Sequence, residues 1–129
     1  MRELVPFDYA VIRVVPWVER EEFINAGVIL SCPGRRFLEA RVDLDLGRLA
    51  AFAPGLDAAT IRCFLEAIPQ VCAGGDAAGP IGRLTQRERF HWLVAPRSTV
   101  IQTSPVHSGL CADPEETLGH LVATMVRVP

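Results

Sequence analysis

Three short apolar runs crowd the first third of the chain, and their spacing leaves few folds open. Residues 7–15 (FDYAVIRVV), 24–32 (INAGVILSC) and 37–42 (FLEARV) are rich in β-branched and aromatic residues. A charged connector, residues 17–23, separates the first two, and Pro33-Gly34-Arg35-Arg36 is a turn signal before the third. A three-strand meander is the simplest reading. Alternation puts Ala10, Ile12 and Val14 on one face, with Tyr9, Val11, Arg13 and Val15 on the other. In the second run Ala26, Val28, Leu30 and Cys32 share one face, and Asn25, Gly27 and Ile29 the other. One sheet face is therefore uniformly apolar. The opposite face mixes Tyr9, Val11 and Val15 with Arg13 and Asn25, which is too apolar for a solvated face and predicts a cover from the C-terminal half or from a partner. Gly27 on that face signals a bulge or a close backbone approach.

The rest of the chain alternates helix signals with one further strand. Residues 43–52 read as a helix ending at Pro54-Gly55. Asp57 is placed to cap a helix over 58–72, where Ile61, Phe64, Leu65, Ile68, Val71 and Cys72 form an amphipathic stripe that Pro69 kinks or shortens. Residues 73–80 (AGGDAAGP) read as a flexible connector: they follow a helix rather than a strand and lack both the P-loop lysine and GxGxxG spacing. Thr85 and Glu88 make a capping box for a short helix that ends near Val94, before Pro96. Residues 98–103 read as a fourth strand. Asp113-Pro114-Glu115-Glu116 opens a last helix that buries Leu118, Leu121, Val122 and Met125. At 129 residues with half of them apolar, this predicts a single α+β domain over 1–129, an antiparallel sheet of about four strands with helices packed on one face.

Composition removes several chemistries. All 13 basic residues are arginine, so there is no lysine for a Schiff base or a lysine general base. Every cationic contact is a guanidinium, suited to bidentate capture of carboxylate or phosphate. A net charge of −2 argues against nucleic acid as a partner. The four cysteines contain no CxxC pair, and the three histidines, His91, His107 and His120, have no HExxH context, so neither a metal nor another cofactor is expected. Cys63 and Cys72 are expected on the buried face of their helix. The first 16 residues do not read as a signal peptide, because Asp8 and Arg13 interrupt the apolar stretch, and no apolar run suits a membrane span. A cytoplasmic setting with reduced thiols is the expectation.

Two segments read as sites rather than scaffold, residues 19–27 (EREEFINAG) and 88–109 (ERFHWLVAPRSTVIQTSPVHSG). The candidates for binding an anion or a partner are Arg13, Arg20, Asn25, Glu88, Arg89, Trp92, Arg97, Ser98, Gln102 and His107. Convergent arginines would bind an oxyanion; the alternative is a structural network with Glu19, Glu21, Glu22 and Glu88. Trp92 is expected in the core beside Phe90, Leu93 and Val94, with stacking against Arg89 or Arg97 as its other role. Ser98, Ser104 and Ser108 with His107, or Cys111 with His107, supply nucleophile types without any elbow motif, and no catalytic residue is assigned.

The run FDYAVIRVVPWVEREEFINAGVIL, together with ERFHWLVAPRSTVIQTSPVHSGL and the following Asp113-Pro114, resembles the bacterial family known as domain of unknown function 3037. The resemblance covers about residues 7–126. It transfers no activity; it implies a small bacterial protein with a neighbouring gene for a HipA-like kinase, hence that kinase as a partner in a toxin–antitoxin setting. The leading expectation is a non-enzymatic interaction or regulatory module, with a homodimer also compatible. The rival is an enzyme or ligand-binding protein that uses the arginine-rich segments on an anionic substrate.

Overall fold

The computed structural model describes residues 3–127. Strands β1 (Val5–Val14), β2 (Ile24–Cys32) and β3 (Phe37–Val42) form the expected antiparallel meander, and the connector between β1 and β2 contains a single 3-10 turn at Val18–Arg20. Two further strands, β4 (Ile101–Thr103) and β5 (His107–Cys111), both run antiparallel along the other side of β1. They are one strand interrupted: between the pairs Ile12↔Thr103 and Tyr9↔His107, residues 104–106 oppose residues 10–11. That one-residue excess is a β-bulge. Ser104 closes it, donating its N–H to Val11 O at 2.8 Å while its Oγ accepts from Val11 N–H at 2.8 Å. Ser104 is buried in this role. The expected strand over 98–103 is thus shorter, and β5 is an element that periodicity did not reveal.

A second bulge interrupts β2. The register moves from Ile12↔Gly27 to Arg13↔Asn25, leaving Ala26 as the extra residue. Gly27 sits where the sequence placed a close approach: a Cβ there would lie 2.6 Å from Arg41 O. The bulge also breaks the alternation. Ala26 packs with Ile12, Val14, Ile24 and Ile29 rather than with Val28, Leu30 and Cys32 as expected.

Helices α1 (Leu46–Phe52), α2 (Ala58–Ala73), α3 (Gln86–Val94) and α4 (Pro114–Met125) complete the fold. Each starts on a side chain that accepts from an otherwise orphaned backbone N–H: Asp45, Asp57, Thr85 and Asp113. Pro69 is accommodated inside α2 without ending it. The connector expected to be flexible is wound into 3-10 turns over Asp76–Arg83, with Gly74, Gly75 and Gly79 at positive φ. Helices cover both faces of the sheet, which corrects the expectation of helices on one face alone. Leu49 of α1, Ile61 and Leu65 of α2, and Phe90 and Leu93 of α3 pack on Ile12, Val14 and Ile29. On the opposite face Leu118, Leu121 and Val122 of α4 pack on Phe7, Val28, Leu30 and Cys32. The C-terminal helix is therefore the cover that the mixed face required. It stops short of the Arg13 end, where Arg13 and Asn25 lie only half-buried.

Candidate functional site

The arginines fall into distinct roles. Arg89 is structural. From α3 it donates to Leu84 O at 3.1 Å through Nε, to Val71 O at 3.0 Å, and to Cys72 O. Two of these carbonyls belong to the last turn of α2, where C=O groups lack a full set of helix partners; Val71 O also accepts from the capping Gly74 N–H at 3.2 Å. Arg20 is on the surface, ion-paired with Glu22; that hydrogen bond raises its pKa further. Arg97 reaches back to the end of α3, donating to Leu93 O at 2.8 Å and Trp92 O at 2.6 Å, with its guanidinium carbon 4.7 Å from the centroid of the Trp92 ring. Among the described residues no carboxylate pairs with Arg97; the helix C-terminus holds it. The expected Glu88 network is absent too, because Glu88 closes the capping box with Thr85, and the Thr85 backbone N–H holds its carboxyl below the usual range.

Arg13 differs from all of these. Its guanidinium lies over Phe23, 4.0 Å from the ring centroid. Among the described residues it has no hydrogen bond and no ion pair, and its Nε is fully buried without an acceptor. Its cross-strand neighbours on β2 and β4 are the neutral amides Asn25 and Gln102. Asn25 donates Nδ2 to Met125 O at 2.9 Å, tying the β2 bulge to the end of α4, and its buried Oδ1 has no partner among the described residues. Gln102 donates Nε2 to Thr99 O at 2.9 Å.

Around Arg13 opens a cleft of about 510 Å³, lined also by Glu21, Phe23, Arg97, Ser98 and Gln102. Glu21 enters it from a left-handed backbone position at φ 56°. The two polar segments of the sequence thus meet in space, as their composition suggested. His107 lies elsewhere, exposed on β5 with its ring 5.4 Å from that of Tyr9.

A second hollow of about 300 Å³ adjoins the first, and Arg97 and Gln102 line both. It is an apolar groove between α2, α3 and β4. Its floor includes Ile68, Val71, Leu93 and Ile101, and its rim carries Phe64 and Trp92, 50% and 43% exposed. Phe64 was expected in the core, as was Trp92, and both are on the surface. The α2 residues that line the groove, Phe64, Ala67, Ile68 and Val71, recur at i, i+3, i+4 and i+7. This second stripe is offset from the core stripe of Ile61, Leu65, Val71 and Cys72 and shares Val71 with it. Cys63, expected in the core, is exposed, whereas Cys72 is buried and its thiol is pushed up to about 12 by that burial.

Among the described residues no group of three His, Cys, Asp or Glu is placed to hold a metal ion, and no helix is long and apolar enough to cross a membrane.

These features define an α+β protein with an antiparallel sheet and a two-part hollow at one sheet edge, apolar on one side and cationic on the other. Residues 9–126 match the family of proteins of unknown function DUF3037, and the chain belongs to that family. No curated protein and no solved structure matches it.

Proposed function

We propose that this chain is a non-enzymatic interaction module, cytoplasmic, and accessory to a HipA-like kinase, and that it docks its partner through the groove between α2, α3 and β4. The observation that carries this reading is the exposure of Phe64 and Trp92 around a contiguous apolar floor. Large apolar side chains gathered at a concave surface mark an interaction site, whereas scattered ones carry no such meaning. β4 is the terminal strand of its side of the sheet, yet Thr99 Oγ already donates to Ile101 O at 2.9 Å, so the groove offers side-chain packing more than strand addition. The displaced pKa values fit the same reading. Asp57 and Glu88 are shifted by helix capping, and Cys72 and Cys111 by burial.

The test is co-expression with the neighbouring HipA-like kinase. Wild-type protein should co-purify with the kinase, and Phe64→Ser with Trp92→Ser should abolish the complex while the melting temperature stays within a few degrees. A complex that survives the double substitution, or none with wild type, refutes the assignment. The rival reading, a protein acting on an anionic substrate, draws support from one observation, the unpaired Arg13. Its cleft brings two arginines, the Glu21 carboxylate and neutral donors together, a set that suits binding an anion.

A further inference from the structure

We infer that the partner segment docking in the apolar groove carries an acidic side chain whose carboxylate seats on Arg13. The inference rests on the docking reading above and adds the chemistry of the partner. Three observations lead to it.

A half-buried guanidinium without a counter-charge is a cost to the free protein, because desolvated charge is ordinarily paired and hydrogen-bonded. Arg13 has neither pairing nor hydrogen bonds among the described residues, and β2 and β4 place Asn25 and Gln102 beside it where a carboxylate would have neutralised it. A contact between Arg13 Nε and Asn25 Oδ1 would satisfy both buried atoms and still leave the terminal guanidinium nitrogens open. Stacked on Phe23, the guanidinium presents a planar fork that matches a two-oxygen carboxylate.

The charge count selects a monoanion. Arg13, Arg97 and Glu21 are the charged residues lining the cleft, a surplus of one positive charge. A single carboxylate neutralises it, whereas a phosphate dianion would overshoot beside Glu21. Continuity then places the carboxylate on the same partner segment. Arg97 and Gln102 line both hollows, so an extended segment with apolar side chains in the groove has a continuous route across these two residues to the cleft.

The probe is a displayed library of random twelve-residue peptides, selected on the full chain as wild type, Arg13→Gln and Phe64→Ser. Enriched peptides are then synthesised and measured by fluorescence polarisation. Wild type should enrich peptides with an Asp or Glu at fixed spacing from aromatic or aliphatic residues. Arg13→Gln should keep the apolar preference, lose the acidic one, and bind the selected peptide roughly tenfold more weakly, the size of one lost charge-assisted hydrogen bond. Glu21→Gln should bind it more tightly. Phe64→Ser should lose both preferences. Melting curves establish that each variant is folded. Apolar enrichment without an acidic preference, or equal affinity for wild type and Arg13→Gln, overturns the inference and leaves the docking reading standing. No enrichment on folded wild type overturns both.

Discussion

Replacing Arg89 and Arg13 by methionine separates an arginine that holds the fold from one that does not. Arg89 ties α3 to the last turn of α2 through Val71 O and Cys72 O, and to the loop before α3 through Leu84 O. Three hydrogen bonds from a charged donor would sum to well over 4 kcal/mol if each kept its full value of about 1.5–3 kcal/mol. Water can reach part of this partly buried site and re-solvate some of the abandoned carbonyls, so about 1 kcal/mol per bond is the better figure. Losing the cation at the α2 C-terminus adds roughly 0.5 kcal/mol. Arg89→Met should therefore cost about 3–4 kcal/mol, a drop in melting temperature on the order of 10 °C for a chain of this size. Arg13→Met removes a charge with no ion pair and no hydrogen bond among the described residues, and replaces it by an apolar side chain beside Phe23. What is lost is the cation–π contact, roughly 0.5–1 kcal/mol, offset by the end of an unpaired desolvation. Arg13→Met should thus lie within about 1 kcal/mol of wild type, on either side. Chemical denaturation with a common m-value measures both. Equal destabilisation by the two variants, or an Arg89→Met midpoint close to wild type, would refute the assignment of roles.

Four further outcomes follow from the same contacts. Thr85→Ala should cost about 1 kcal/mol in denaturation, since the hydroxyl accepts from Glu88 N–H at 3.2 Å. Ser104→Ala should cost about 1–3 kcal/mol because it strands the buried Val11 N–H, and a thermal melt unchanged by it would remove Ser104 from the bulge. Asp57→Asn should destabilise at neutral pH and match wild type in acid: Thr60 Oγ and the Ala59 N–H lower the folded pKa of Asp57, so its contribution is complete above the ordinary aspartate pKa and disappears as pH falls through the depressed folded value. Denaturation midpoints of the pair across an acid series would show the gap closing. Of the four thiols, only Cys63 is exposed, so an aromatic disulfide reagent should titrate one fast equivalent in native protein and the rest on unfolding.

The regular part of the fold is legible in the sequence because it depends on local rules. Alternation marks the meander, and Asp57, Thr85 and Asp113 mark helix starts by the side-chain chemistry that caps them. The irregular part depends on partners distant in sequence. β5 carries Ser108, Gly109 and an exposed His107, a composition without strand character, and it is held to Val5–Tyr9 by the antiparallel ladder, by Ser108 Oγ donating to Asp8 Oδ1 at 2.5 Å and by the His107–Tyr9 ring contact, all partners distant in sequence. Phe64 and Trp92 read as core because periodicity reports which residues are apolar, not whether anything covers them. A finer reading of α2 could have found the groove, since Phe64, Ala67 and Ile68 run beside the core stripe and meet it at Val71. Among the arginines only position was readable. The sequence places Arg13 on the mixed face, but whether a guanidinium meets a helix C-terminus, a carboxylate or nothing is decided by tertiary packing.

The two bulges connect this fold to its candidate site. A regular ladder would carry β2 and the β4–β5 strand past β1 with their alternation unbroken, and Ala26 would face α4. Instead β2 gains Ala26 directly beside the Arg13↔Asn25 pair, and the opposite neighbour of β1 gains a residue within 104–106, just beyond the Ile12↔Thr103 pair. Each bulge bends its strand and increases the local twist. The Asn25–Arg13–Gln102 row is bounded by one irregularity on each side of β1, and it lies at the end of the sheet face that α4 does not cover. Both departures from regularity are anchored rather than loose: Ser104 supplies Val11 with its missing acceptor, and Gly27 allows the Arg41 carbonyl an approach that no Cβ would permit. A fold that secures its irregular backbone so firmly on both sides of Arg13, and yet leaves that guanidinium without an ion pair among the described residues, has the form of a binding site held ready. The row is positioned by the sheet, and the missing carboxylate is left to the partner.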